Sequence, residues 1–391
     1  MTDFSDKALL PAGFSDVLAP DADFEALVLN RLLRCFSGHG YDRVEPPLIE
    51  FEDGLLTGIG AGLAEQTFRL MDPESQRMMA VRVDITPQVA RIAQARLAKA
   101  PRPLRLSYAG QVLRVRGSQL RPERQFTQVG AELIGAAGPA ADAEVIAMAA
   151  GALIELGVAE LSCDLGLPAL VPAVSGDADP SLQAKLRQAL DRKDAAAVAG
   201  LSDELGEALT QTLAAMLSAA GPAAETLDAL GGLGLEGDAE DGRKLLADVV
   251  DRVRAARPEL KLTIDPVENR GFEYHTGVTF TFFAKGVRGE LGSGGRYAAN
   301  GDDANGGEQA TGFTLFMDTV LRALPAPVTA SRVFLPAGTP VKEAAKLRAE
   351  GWIAVAGLDQ GADAETEAKR LACSHLLDGG KIKEIGKKKK G

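Results

Sequence analysis

Residues Leu104 to Gly135 read LRLSYAGQVLRVRGSQLRPERQFTQVGAELIG. Leu104–Val115 and Phe126–Ile134 have the apolar and β-branched content of two long strands, and the polar residues Arg116–Gln125 between them read as a loop. Arg116, Arg121 and Arg124 crowd that loop against a single carboxylate, Glu123. Along the second strand a side-chain period of two places Gln128 and Glu132 on one face. Taken alone, an Arg or Glu on a strand is ordinarily a solvated face or half of an ion pair, so this stretch takes its meaning from what surrounds it.

Upstream, Ala22–Ser37 carries Phe24, Leu27, Leu29, Leu32, Leu33 and Phe36 at roughly helical spacing and is closed by Gly38-His39-Gly40. A strand is predicted over Tyr41–Val44, another over Met78–Val83, and a helix over Pro87–Ala100. Downstream, Pro172–Pro258 is rich in Ala and Leu, with Leu182, Leu186 and Leu190 and then Leu209, Leu213 and Leu217 every four residues, so a helical insertion is predicted there. Gly231-Gly232-Leu233-Gly234 within it lacks a leading strand and a following Lys-Ser/Thr, and reads as an interhelical loop rather than a phosphate loop. Sheet sequence resumes at Leu260–Ile264 and Gly277–Phe283, Gly289–Tyr297 reads as tight turns, and Gly312–Ala323 as a strand running into a helix. After Pro325 and Pro327 comes a small α/β unit: strand Arg332–Leu335, helix Val341–Glu350, strand Trp352–Ala356 and helix Ala364–Leu377, with a solvated Lys-rich end.

Three separated segments suit a small zwitterion. Arg82-Val83-Asp84-Ile85-Thr86-Pro87 puts a carboxylate and a hydroxyl at the end of a short strand, where an ammonium group would be received. The second segment is the strand pair with Arg114, Gln128 and Glu132. The third, NRGFEYHTG over Asn269–Gly277, offers Arg270 as a fork for a carboxylate, with glycines that allow close backbone approach. His275 reads either as a ligand contact beside Tyr274 or as a packed ring, and Glu273 either as part of the site or as an ion-pair partner of Arg270. His39, at a helix end, and His375, in the tail helix, read as structural or exposed.

The blocks YxGxxxR and QFTQVGAELIG, followed far downstream by NRGFEYHTG and GSGGRY, strongly resemble the class II histidyl-tRNA synthetase core from about Pro11 to Leu324. That resemblance implies an α+β fold, an antiparallel sheet flanked by helices. It divides the chain into a core over 1–324, with the insertion 172–258 inside it, and a small C-terminal domain over 328–391. It also implies a histidine pocket of Asp84, Ile85, Thr86, Arg114, Gln128, Glu132, Arg270, Tyr274 and His275. There Asp84, Thr86 and Gln128 would hold the α-amino group, Glu132, Tyr274 and His275 would surround the imidazole, and Arg114 and Arg270 would face anionic groups.

The departures point elsewhere than aminoacylation. Arg116 stands where the synthetases place an acidic residue near the adenine, and Arg121-Pro122 replaces the loop's Gly-Arg. The last motif reads Gly312-Phe-Thr-Leu-Phe-Met-Asp-Thr319, with Phe316 in place of a glycine and Thr319 in place of the arginine that grips the ATP γ-phosphate. Losing a positioned cation costs several kcal/mol, on the order of 3, in a phosphoryl transition state, so loss of ATP activation is expected. Together with VRVDITPQVAR and a short tail, this resembles the ATP phosphoribosyltransferase regulatory subunit family of histidine biosynthesis. The family implies a non-catalytic chain that binds L-histidine and assembles with a short-form catalytic subunit, pairing with itself through the region around Tyr41–Glu52. The rival readings are a divergent histidyl-tRNA synthetase and a stand-alone amino-acid- or RNA-binding module.

Composition narrows the choice. A chain of 391 residues, 46% hydrophobic and 25% charged, has globular proportions. Lys and Arg number 43 against 54 Asp and Glu, a net charge of −11; the tail from Ser331 carries +4 and the preceding residues −15. That sign opposes a broad RNA surface, so tRNA is not an expected partner. Cys35, Cys163 and Cys373 are widely spaced and form no CxxC, so neither disulfides nor a zinc site is expected, and no cofactor. Cys35 and Cys163 read as small buried hydrophobes. The longest apolar run, Val145–Ile154, is short of a membrane span, and the first residues lack a basic stretch leading into an apolar core; a cytoplasmic protein is expected.

Overall fold

The computed structural model describes residues 9–56, 58–119, 121–176, 179–268, 275–299, 307–327 and 330–385. They form two compact units, one to Pro325 and one from Ala326. The first is built on a nine-stranded mixed sheet, order β1-β5-β6-β12-β11-β10-β7-β9-β8. Its strands are β1 (Asp42–Arg43), β5 (Leu104–Leu113), β6 (Gln125–Ile134), β7 (Leu161–Gly166), β8 (Gly221–Pro222), β9 (Lys261–Asp265), β10 (His275–Ala284), β11 (Gly292–Ala298) and β12 (Gln309–Phe316). In this sheet β1 joins β5 and β7 joins β9 in parallel, and its other pairings among the described residues are antiparallel. A separate three-stranded sheet holds β2 (Ile49–Phe51), β4 (Met78–Val81) and β3 (Arg69–Met71) in that order.

Alternation along β6 separates two cores. Val129, Ala131 and Leu133 face a large cluster with helix α1 (Asp21–Gly38), helix α3 (Pro139–Leu156) and the helices between Leu170 and Ala256. Phe126 and Ile134 face a smaller cluster with helix α2 (Thr86–Ala95), and Gln128 and Glu132 share that second face. Each large side chain so buried contributes roughly 1.5–3 kcal/mol. α3 is apolar nearly all round and correspondingly buried. Pro139 opens it, and Gly157 closes it in the left-handed conformation at φ 103°. Its one buried carboxylate, Asp142, pairs with Arg296 of β11, whose Nε lies 3.1 Å away, and accepts from Thr311 of β12 at 2.8 Å.

Two expectations are overturned. GELGSGGRY does not supply tight turns at its centre: Gly292–Ala298 is strand β11, inside the sheet. Gly294 and Gly295 are there for close approach, because a Cβ would run into Phe280 and the Gly312 carbonyl at the first and into the His275 ring at the second. In the second unit, the tail helix is shorter than expected. Ala364–Arg370 is helical, but Ala372 takes φ +52°, and the chain then forms strands His375–Asp378 and Lys381–Glu384 of a four-stranded sheet. His375 therefore lies on a strand beside Trp352, ring centroids 4.7 Å apart. Residues 386–391, with the KKKK run, lie outside the described residues. Among the described residues no helix is long and apolar enough to cross a membrane, and no His/Cys/Asp/Glu group is arranged to hold a metal.

Candidate functional site

The site forms where β4, β5 and β6 meet the start of α2. Arg82, buried just past β4, donates from Nε to the Gln111 carbonyl at 2.7 Å and from Nη1 to the Pro46 carbonyl at 2.8 Å. Gly110 makes room for it, since a Cβ there would strike the guanidinium. With Arg82 anchored, Asp84 closes a tight turn by accepting from the Thr86 amide at 2.8 Å. Gln128 reaches across from β6: its Nε2 donates to Asp84 Oδ2 at 2.9 Å and its Oε1 accepts from the Ile85 amide at 3.1 Å. Ile85 thus enters the site through its backbone; its side chain belongs to the apolar core.

Glu132 is the centre of a second layer. Its Oε1 accepts from the Thr86 hydroxyl at 3.0 Å and its Oε2 from the Tyr297 hydroxyl at 2.9 Å. Tyr108 continues the chain of hydroxyls, 3.2 Å from Thr86 Oγ1 and 2.6 Å from Thr314 Oγ1. Gly312 lies opposite Glu132 in the β6–β12 register, and a Cβ there would fall inside the carboxylate. Glu132 is 1% exposed and makes no salt bridge among the described residues. Burial pushes its carboxyl from 4.5 up to about 8; the Tyr297 and Thr86 hydroxyls pull it down and the neighbouring Asp84 pushes it up.

A cavity of about 270 Å³ opens onto this network, with His275, Thr314 and Phe316 also in its wall. Its charged lining, among the described residues, is Asp84, Glu132, Glu268 and Glu290, without lysine or arginine. Such a wall receives cationic or hydrogen-bond-donating groups. Of the residues singled out from sequence, Asp84, Ile85, Thr86, Gln128 and Glu132 are joined by hydrogen bonds and His275 lines the same cavity. Arg114 stands outside the cavity wall, with its guanidinium 5.0 Å from the Phe126 ring and its buried Nε without a hydrogen-bond partner among the described residues. Burial pushes its pKa down and Asp84 raises it. Arg270 and Tyr274 lie outside the described residues.

Three of the departures noted in the sequence, Arg121, Phe316 and Thr319, come together in space. The Arg121 guanidinium stacks 3.8 Å from the Phe316 ring centroid, donates from Nε to Asp318 at 3.1 Å and reaches Thr319 Oγ1 at 3.4 Å. The Arg121 and Asp318 side chains are only 10% and 11% exposed. Phe316, Asp318, Thr319 and Arg121 thus form one packed cluster beside the cavity. Sequence reasoning did not assign Tyr108, Tyr297, Thr314 or Gly312. Tyr108 and Tyr297 sit inside the quoted motifs, but only strand register sets the glycines Gly130 and Gly312 against Tyr108 and Glu132.

The histidyl-tRNA synthetase family profile matches residues 13–320. An ATP phosphoribosyltransferase regulatory subunit of Rhodospirillum centenum is 57% identical over 97% of this chain and 96% of its own length. One from Paramagnetospirillum magneticum is 56% identical over 98% and 100%. Among solved structures, an ATP phosphoribosyltransferase regulatory subunit/histidyl-tRNA synthetase of Bacillus halodurans superposes with a TM-score of 0.81 at 25% identity, covering 93% of this chain and 96% of that one. A histidyl-tRNA synthetase from Nostoc shares the fold, at 0.78 and 17% identity with 97% of each chain covered.

Proposed function

Because this chain belongs to the histidyl-tRNA synthetase-like family of ATP phosphoribosyltransferase regulatory subunits, we propose that its acidic cavity holds free L-histidine and that a short-form ATP phosphoribosyltransferase catalytic subunit assembled with it reads the occupancy. The role is regulatory and non-catalytic, in the first step of histidine biosynthesis. The observation that carries the ligand is the convergence of Asp84, Thr86 and Glu132 on one cavity, with Gln128 holding Asp84 from behind the wall. Asp84, oriented by Gln128, offers acceptors to the α-amino group, and Glu132 and His275 would enclose the imidazole. Arg270, on resemblance, takes the carboxylate. Arg114, whose Nε has no hydrogen-bond partner among the described residues, supplies further positive charge outside the cavity wall.

Activation by ATP is not part of this reading. Phe316 is covered by the Arg121 guanidinium and Thr319 supplies only a hydroxyl, so this side of the cleft is packed with the chain's own groups. An acidic body argues against tRNA. The chain is read as cytoplasmic and as a dimer within the hetero-oligomer. Exposed Leu48, Ile49 and Phe51, with Leu70, Met71 and Met78 on the small sheet, are the apolar surface that self-association would cover.

Coupling between histidine and the partner is a differential affinity, typically ~1–3 kcal/mol, and reciprocal for binding. The test is reconstitution with the short catalytic chain. Phosphoribosyl-ATP formation is expected only with both chains present and is expected to fall as histidine is added. Activity indifferent to this chain would overturn the assignment.

A further inference from the structure

Glu132 is an unusual group to place in the wall of a ligand cavity. It is buried, its two oxygens each accept from a hydroxyl, and Gly312 brings backbone against its face so that no bulkier group shields it from the cavity. Among the described residues, the ionisable groups around it are Asp84 before α2, Tyr108 on β5, Tyr297 on β11, His275 on β10, and Tyr41, which lies farther off, between α1 and β1. Glu268 and Glu290 complete the charged wall. No Lys or Arg in that set neutralises Glu132, so ionising it places a second negative charge, itself buried, beside Asp84.

We propose that Glu132 binds its ligand as a proton-sharing partner, one proton lying between its carboxyl and an uncharged, weakly basic ring nitrogen. The inference rests on the histidine reading of the cavity and goes beyond it by stating the protonation state in which the ligand is captured. A carboxyl that holds its proton to about pH 8 meets an imidazole that loses its own at about 6.5. Between those values the empty site carries the proton and the free ligand does not, and the complex needs one, so binding neither takes up nor releases a proton. Below the window the ligand arrives protonated and one proton must leave. Above it Glu132 is ionised and one proton must be taken up. Affinity therefore peaks inside the window and falls by about tenfold per pH unit beyond either edge. A permanently charged ligand would instead have to displace the Glu132 proton, and at neutral pH it binds more weakly for that reason.

Isothermal titration calorimetry of the full chain with L-histidine, from about pH 5.5 to about pH 9 in buffers of different ionisation enthalpy, reads both affinity and proton count. The expected result is a maximum between about pH 6.5 and 8, with nearly zero protons exchanged there, release on the acid side and uptake on the alkaline side. Glu132→Gln keeps a hydrogen-bonding amide without a titrating proton and is expected to lose the alkaline decline while keeping the acid one. 1,2,4-Triazolylalanine, whose ring is a weaker base, is expected to move the acid edge to lower pH. Equal histidine affinity at pH 7 and pH 9, or an alkaline decline unchanged in Glu132→Gln, overturns the shared proton but leaves the histidine site standing. Absence of histidine binding at every pH removes the site itself, and the proposal with it.

Discussion

At the scale of the residue, Glu132 links the chemistry of the cavity to the stability of the chain. Its carboxyl titrates near 4.5 when exposed and at about 8 in the folded state. Between those values the folded chain holds a proton that the unfolded chain has released, so stability falls as pH rises. The contribution is complete below about pH 4.5 and gone above about pH 8. Wild-type chain is therefore expected to lose more unfolding free energy than Glu132→Gln between pH 5 and pH 8.5, by on the order of a few kcal/mol, as read by urea denaturation at the two pH values. Equal losses would show that Glu132 is ionised in the fold. The sequence placed Gln128 and Glu132 on one face correctly, because a period of two is local. It did not show that a glycine lies opposite Glu132, because Gly312 is distant in sequence and arrives through the β6–β12 register.

At the scale of the element, the loop between β5 and β6 is fastened by the buried Arg121–Asp318 pair to the first turn of helix α4 (Met317–Ala323). Breaking one side of such a pair leaves an uncompensated charge. Asp318→Ala is expected to cost about 3 kcal/mol in urea-denaturation stability, and adding Arg121→Met should recover most of the loss. No recovery would show that Asp318 acts through the helix start alone. Strands β5, β6, β10 and β12 were legible from their β-branched and aromatic residues, β11 was not. Three glycines in Gly292–Gly295 carry the local signature of a turn, and they form a strand because Phe280, His275 and Gly312 press on them from neighbouring strands. The tail's second helix was overextended for a similar reason, since its apolar Leu376 and Leu377 serve a strand that pairs with β-strands on both sides.

At the scale of the whole molecule, the exposed apolar side chains of the small sheet are the feature that a solitary chain leaves unexplained. Ile49→Lys with Met78→Lys is expected to convert a dimer to a folded monomer in sedimentation velocity, with unchanged circular dichroism. A double variant that sediments as wild type would place self-association elsewhere. By itself, the sequence indicated most of the helices and longer strands, the acidic body with its basic tail, and the motif residues Asp84, Thr86, Gln128 and Glu132, because composition, periodicity and motif spacing are local quantities. Only the tertiary structure decided which side chains share a cavity, that Tyr297 lines it with Tyr108 bonded behind, and that Arg121, Phe316, Asp318 and Thr319 form one cluster. Those relations depend on strand register and on burial, and burial is also what pushes the Glu132 carboxyl up.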